Sequence, residues 1–250
     1  MKKIFIYLLF AFSSINLLAQ IKDAESLVRE MHKKYAGNFN ANITFIQLNE
    51  DYDENGKISK RSLSFEAFHF PGKFRNDMGP TPMKEGYIVA DDKIYLFKDG
   101  KKISEKPCMI DVGLLTGDIY FMEIDEAIKE CKKHGYDMTK FREDNYKGRP
   151  VYVVGTTDKA DEKSPQFWID KQELYIVRDI NFSEEDGELE DVHYLEHAKV
   201  GKAWVEERVE IFVNGKMVKK EHYAEVKANN KFNEKLFDPA HFSDTHWREK

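Results

Sequence analysis

The stretch from Tyr146 to Phe182, YKGRPVYVVGTTDKADEKSPQFWIDKQELYIVRDINF, constrains this chain more than any other. Three runs rich in β-branched and aromatic residues, Val151 to Val154, Gln166 to Ile169 and Leu174 to Phe182, are separated by Gly, Asp, Lys, Ser and Pro clusters that stop strands and turn the chain. The pattern predicts a meander of antiparallel strands. In the third run Leu174, Ile176, Ile180 and Phe182 share one face, while Tyr175 and Val177 share the other with Asp179. A sheet whose second side is partly apolar lies against something there, or holds something there.

The N-terminus carries an address. Lys2 and Lys3 precede an apolar run from Ile4 to Leu18, with Ala19 as the expected last residue removed, so residues 1–19 read as a cleavable secretory signal and 20–250 as one domain. The run is broken by Ser13, Ser14 and Asn16 and falls short of the about 20 apolar residues of a membrane anchor. No Cys follows the cleavage site, so a periplasmic protein without a lipid anchor is expected. Losing Lys2 and Lys3 takes the formal charge from −6 to −8, which disfavours nucleic acid as a partner. About 230 residues suffice for one β-rich domain with a sizeable core. In an oxidising compartment Cys108 and Cys131 either form a disulfide or stay as two buried thiols.

Ala24, Leu27, Val28, Met31 and Tyr35 recur at helical spacing behind Asp23, a plausible N-cap, and Gly37 with Asn38 ends the pattern. Strand patterns follow at Asn42 to Asn49, Ser59 to Phe70, Phe74 to Met78, Gly86 to Ala90 and Ile94 to Lys98. An interruption comes next. Phe121, Ile124, Ala127, Ile128 and Cys131 have helical spacing, and upstream Met109, Ile110, Val112, Leu114 and Leu115 form an apolar patch loosened by Gly113 and Gly117. Such an insertion is either a lid or a plug for the core. After the meander, Glu188 to Ala198, Ala203 to Val213 and Val218 to Val226 read as long strands, with Asn214-Gly215 as a tight turn. In the middle one Ala203, Val205, Val209, Ile211 and Val213 oppose Trp204, Glu206, Arg208, Glu210 and Phe212. The tail from Lys231 to Lys250 carries Phe232, Leu236, Phe237, Phe242 and Trp247 and is expected to close one end of the domain.

No stretch reads as an active site or a metal site. Asp51 to Lys57 mimics the start of a calcium loop, but position 12 is Ser62 where a bidentate Glu belongs, so a polar hairpin tip is expected. His193 and His197 on a strand lie roughly 13 Å apart, too far to share a metal. Glu206 and Glu210 fit the alternating charge of a solvated strand face. No cofactor motif is present, and no catalytic residue is assigned. There is instead an aromatic surplus: Phe65, Phe68, Phe70, Phe74, Tyr87, Tyr95, Phe97, Phe167, Trp168 and Tyr175 lie on both faces of strands that one helix cannot cover, as core, interface or cavity wall.

The order of helix, long hairpin, PGKFR, GYIVADDKIYLFKDG, apolar helical interruption, GRPVYVV, PQFWID, LYIVRDI and a last strand leading into NNKFNEKLFDPAHF resembles the LolA-like periplasmic lipoprotein carrier superfamily, in the branch of outer-membrane lipoprotein-sorting proteins. PQFWID, Pro165 to Asp170, and LFDPAHF, Leu236 to Phe242, are its most specific pieces. The resemblance implies a mainly β fold, an open antiparallel half-barrel wrapped around helices that form a lid over an apolar cavity. It also implies a carrier that holds acyl chains of a lipoprotein or lipid, is not an enzyme, and exchanges cargo with membrane-bound loading and receiving proteins. The residues then expected to meet ligand are Phe65, Phe70, Tyr87, Phe97, Leu114, Leu115, Phe167 and Tyr175. Where the carriers have an Arg before the Pro ending the second strand, this chain has Phe70 before Pro71. The same scaffold serves envelope-stress sensors, interaction scaffolds and, more rarely, enzymes, and these stay open as alternatives.

Overall fold

Among the described residues the first element is a helix that the sequence punctuates at both ends. In the computed structural model, which describes residues 21–80, 82, 84–108, 113–183, 187–228 and 231–248, α1 spans Ala24–Tyr35. Asp23 Oδ1 accepts from Ser26 N at 2.7 Å and Asp23 N donates to Ser26 Oγ at 3.1 Å, so two of the orphan donors at the helix start are satisfied reciprocally. The helix buries Ala24, Leu27, Val28, Met31 and Tyr35, each of the larger side chains contributing about 1.5–3 kcal/mol.

Fifteen strands follow among the described residues: β1 Asn42–Tyr52, β2 Ile58–His69, β3 Lys73–Met78, β4 Glu85–Ala90, β5 Lys93–Lys98, β6 Lys101–Pro107, β7 Phe141–Tyr146, β8 Arg149–Val154, β9 Gln166–Asp170, β10 Ile176–Ser183, β11 Glu188–Leu195, β12 Ala198–Val200, β13 Ala203–Val205, β14 Arg208–Val213 and β15 Lys216–Ala228. Thirteen make one open antiparallel sheet in the order β6-β5-β4-β3-β2-β1-β15-β14-β11-β10-β9-β8-β7, and β12 pairs with β13 alone. Because β1 pairs with β15, the sheet is centred on its first and last strands, and β6 and β7 are its two free edges. The interruption therefore has a definite task. It carries the chain from one edge to the other, through a 3-10 turn at Asp118–Tyr120 and the helix α2, Ile124–Lys133, both packed against α1. Leu114, Leu115, Ile119 and Tyr120 join Leu27, Val28, Met31, Ile43, Phe45, Phe167 and Ile169 in the main core on the concave side.

The convex side has its own cover. Phe65 and Ala67 of β2, Ile88 and Ala90 of β4 and Phe97 of β5 point outward, and the tail from Phe232 to Trp247 lies across them. Phe242 stacks on Phe97 with ring centroids 4.0 Å apart. The tail thus covers a face instead of closing an end, because the outward side chains of these strands are apolar and would otherwise meet water. Arg75, fully buried, fastens it: the guanidinium forms two 2.8 Å bonds to Asp77 and donates to the carbonyls of Leu236 at 3.0 Å and Phe242 at 2.7 Å.

Other expectations shift. Ala203 to Val213 is not one strand; it breaks at Glu206 and Glu207 into β13 and β14. A register shift between Ile176 and Arg178 interrupts the alternation of the third meander run, so Asp179 faces the concave side. Cys108 and Cys131 are not joined by a disulfide; Cys131 is buried in the core and Cys108 half-buried. The proposed signal, residues 1–19, and Met109, Ile110 and Val112 of the apolar patch lie outside the described residues.

Candidate ligand-binding site

Between the sheet and the crossing segment runs a trough along the strands of the sheet's middle. Its apolar end is a cavity of about 310 Å³ walled by Ile43 and Phe45 of β1, Phe68 and Phe70 at the end of β2, Val192 of β11, and Val209 and Ile211 of β14, with Leu115 and Trp204 against it. Phe68, Glu221 and Tyr223 also line a second space of about 800 Å³, so the two adjoin at these residues. There the wall is polar: Gln47 and Asn49 of β1, Ser64 and Glu66 of β2, Asn76 of β3, Tyr87 of β4 and Glu221 of β15. A third pocket of about 270 Å³ opens beside Phe68, Leu114 and α2. Along β1 the inward residues run Ile43, Phe45, Gln47, Asn49, a change from apolar to polar over roughly 20 Å at the usual rise of a strand.

The crossing segment roofs the apolar end and is held there by Phe70. A side chain on Gly117 would place its Cβ 2.1 Å from the Phe70 ring, so only Gly lets the backbone come this close. Gly72 N donates to Asp118 Oδ1 at 2.9 Å, a second tie between the end of β2 and the roof. Phe70 thus holds the segment by ring contact at the place where the carriers have an Arg. Leu114 and Leu115 are 4% and 3% exposed, so the segment is at once the roof of the trough and part of the core.

The trough is not uniformly apolar. Glu66 accepts from Ser64 Oγ at 2.9 Å and Asn76 Nδ2 at 2.7 Å, and burial, then the charge of Glu221, pushes its carboxyl up to about 8. Glu206 is not on a solvated face: it lines the apolar cavity, where burial raises its carboxyl to about 7. Glu210 instead faces Arg208 and Lys220 on the other side of β14. Asp179 is tied by Tyr136 Oη at 2.9 Å and Asn181 Nδ2 at 2.9 Å. Carboxyl groups held neutral by burial can share a wall with hydrocarbon at far lower cost than ionised ones.

Of the eight residues expected to meet ligand, Phe70 and Leu115 line the apolar cavity, Leu114 the pocket beside α2, and Tyr87 the polar end. Phe65 and Phe97 face the convex side, against Trp247 and Phe242 of the tail, because strand alternation puts them opposite Phe68 and Tyr87. Phe167 is fully buried in solid core, edge-on to Tyr136. Tyr175 stacks on His197 at 3.8 Å, behind Trp204. His193 pairs with Asp191, and burial lowers the His197 imidazole to about 4. At the hairpin tip, Asp53 Oδ1 accepts from the amides of Asn55 and Lys57, both at 2.9 Å, which ties the turn.

No family model matches this sequence, and no curated protein matches it either. Solved structures do. A DUF1329 family protein from Desulfovibrio piger superposes with a TM-score of 0.62 at 10% identity, covering 88% of this chain and 97% of the other. A domain described as outer membrane lipoprotein-sorting, from Vibrio parahaemolyticus, gives 0.60 at 13% identity over 88% and 97%. A LolA superfamily protein from Nitrosomonas europaea gives 0.54 at 8% identity over 86% and 97%. The fold is LolA-like. The open sheet around two helices is the half-barrel of that fold, and the trough occupies its concave side.

Proposed function

We propose that this chain is an exported, periplasmic carrier that holds an acyl chain of a lipoprotein or lipid in the trough, by burial and without covalent chemistry. Its place would be the sorting of lipoproteins toward an outer membrane, with membrane-bound partners to load and receive the cargo. The observation that carries this reading is the roofed apolar end, walled by Ile43, Phe45, Phe68, Phe70, Val209 and Ile211 inside a LolA-like half-barrel. Six methylenes buried there would contribute about 5 kcal/mol. The Vibrio neighbour's description as lipoprotein-sorting agrees with it, while the likeness itself extends to the fold. A second reading, an enzyme in the same trough, is favoured by the raised carboxyls of Glu66 and Glu206, which fall where general acids and bases operate. They line opposite ends, so a single bond attacked by both is the less favoured arrangement.

Titrating lipid-stripped protein with a fluorescent fatty-acid probe tests the carrier reading. Saturable binding, displaced by longer-chain lipids, is expected. A stripped protein that binds no apolar probe ends it.

A further inference from the structure

We propose that the polar end of the trough is a head-group pocket for a protonated amine. The ligand's chain lies in the apolar end, and its ammonium is received by Glu66 Oε2 beside Asn76 Oδ1, with Glu221 adding negative charge to the same wall. This rests on the carrier reading and specifies the class of cargo.

Two acceptors stand side by side there, Glu66 of β2 and Asn76 of β3, which pair directly across the two strands. Glu66 is 4% exposed, and both of its hydrogen bonds fall on one oxygen, Oε1, so Oε2 takes no part in them. Glu221, 9% exposed, lines both spaces of the trough; its Oε2 accepts from Tyr223 Oη at 3.3 Å, and its charge acts on Glu66 from the far side of β1. Asn76 is 6% exposed and spends its Nδ2 on Glu66; its Oδ1 is buried with no hydrogen-bond partner among the described residues. A buried acceptor left unpaired costs free energy, and a donor supplied by a ligand would recover it. An ammonium brings three donors and no acceptor, which suits this set. A carboxylate or phosphate head would bring acceptors to acceptors, and a hydroxyl could satisfy only part of the set.

The surrounding charges agree. Lys219 faces the pocket but pairs with Glu221 Oε1 at 3.2 Å, and the remaining charged lining residues, Lys60, Lys84, Asp51, Glu85 and Asp99, are of both signs and lie toward the solvent. With Glu66 pushed up to about 8, its carboxyl is mostly protonated at pH 7 in the empty trough. An arriving ammonium favours the ionised form, so the Glu66 proton passes to solvent as the ion pair forms.

Displacement of a neutral apolar fluorophore at pH 7 by decylamine, decanol, decanoate and 1,4-diaminobutane tests this. Decylamine is expected to displace the fluorophore at about ten-fold lower concentration than decanol, with decanoate weaker still and the diamine ineffective. Glu66→Gln keeps an acceptor for Ser64 and Asn76, and should erase the preference for decylamine over decanol; Glu221→Gln should weaken the same preference. Equal displacement by decylamine and decanol, or a preference that survives both substitutions, overturns the head-group pocket and leaves the carrier reading standing. A diamine as effective as decylamine overturns it in favour of a free-amine site. Failure of all four to displace a bound fluorophore overturns it as well, and failure of the fluorophore to bind at all removes the carrier reading with it.

Discussion

Arg75→Ala should lower the stability of the domain by about 3–5 kcal/mol, the cost of breaking a buried ion pair by removing one partner. Arg75 and Asp77 have fully buried side chains, and His246 Nε2 lies 3.1 Å from Asp77 Oδ2. Without the guanidinium, Asp77 keeps a buried charge with only His246 to answer it, and the carbonyls of Leu236 and Phe242 lose their donor. The Phe242 ring, 4.6 Å from the guanidinium, loses a cation–π partner as well. In a domain of this size the loss corresponds to a fall in Tm of about 10 °C. Thermal unfolding and hydrogen exchange across residues 231–248 would measure it. Arg75→Lys should restore little, since an ammonium cannot make the two-pronged contact and reach two carbonyls together. A Tm within a degree of wild type, with the tail still protected, would contradict the clamp.

The second large effect is expected inside the trough. Ile211 is half-buried on β14, with its side chain on the wall of the apolar cavity. Replacing it with Trp should fill part of the roughly 310 Å³ and weaken fatty-acid probe binding about ten-fold, while changing Tm by only a few degrees. Ile211→Asp should weaken binding further, about a hundred-fold, because an unpaired carboxylate beside an acyl chain must be desolvated or protonated when the chain enters. Leu114 and Leu115 are poorer positions for this test. Both are built into the core, so a charge there would unfold the roof and confuse lost binding with lost structure. Probe affinity unchanged in both Ile211 variants would place the probe somewhere other than the apolar end.

Much of the architecture was legible in the chain. The meander from Val151 to Phe182 appears as β8, β9 and β10, and both helices appear where their spacing placed them, α1 behind its Asp23 cap. The two motifs PGKFR and LFDPAHF, distant in sequence, meet through Arg75 and the carbonyls of Leu236 and Phe242. Other parts were not legible, for physical reasons. The edge strands β6, KKISEKP, and β7, FREDNY, carry charge where an inner strand carries apolar side chains, as free edges do, and so give no alternation to read. Phe65 and Phe97 were expected to meet ligand and face the tail instead, since an apolar row on the outer side reads like one on the inner side until the tail's course is known. The polar end was missed although a signal existed: the inward residues of β1, β2 and β15 all turn from apolar or aromatic to polar in the same direction. Seeing it required the register β2-β1-β15, which strand patterns taken singly do not supply.

Native mass spectrometry of the protein isolated from its own envelope under gentle conditions asks whether the trough carries an acyl ligand. A protein species heavier than the polypeptide by the mass of a lipid or lipidated partner is expected. That adduct should disappear on delipidation and be depleted in Ile211→Asp. A polypeptide that emerges at its bare mass, and stays bare when stripped protein is offered lipid, would mean that the trough is not an acyl-chain site.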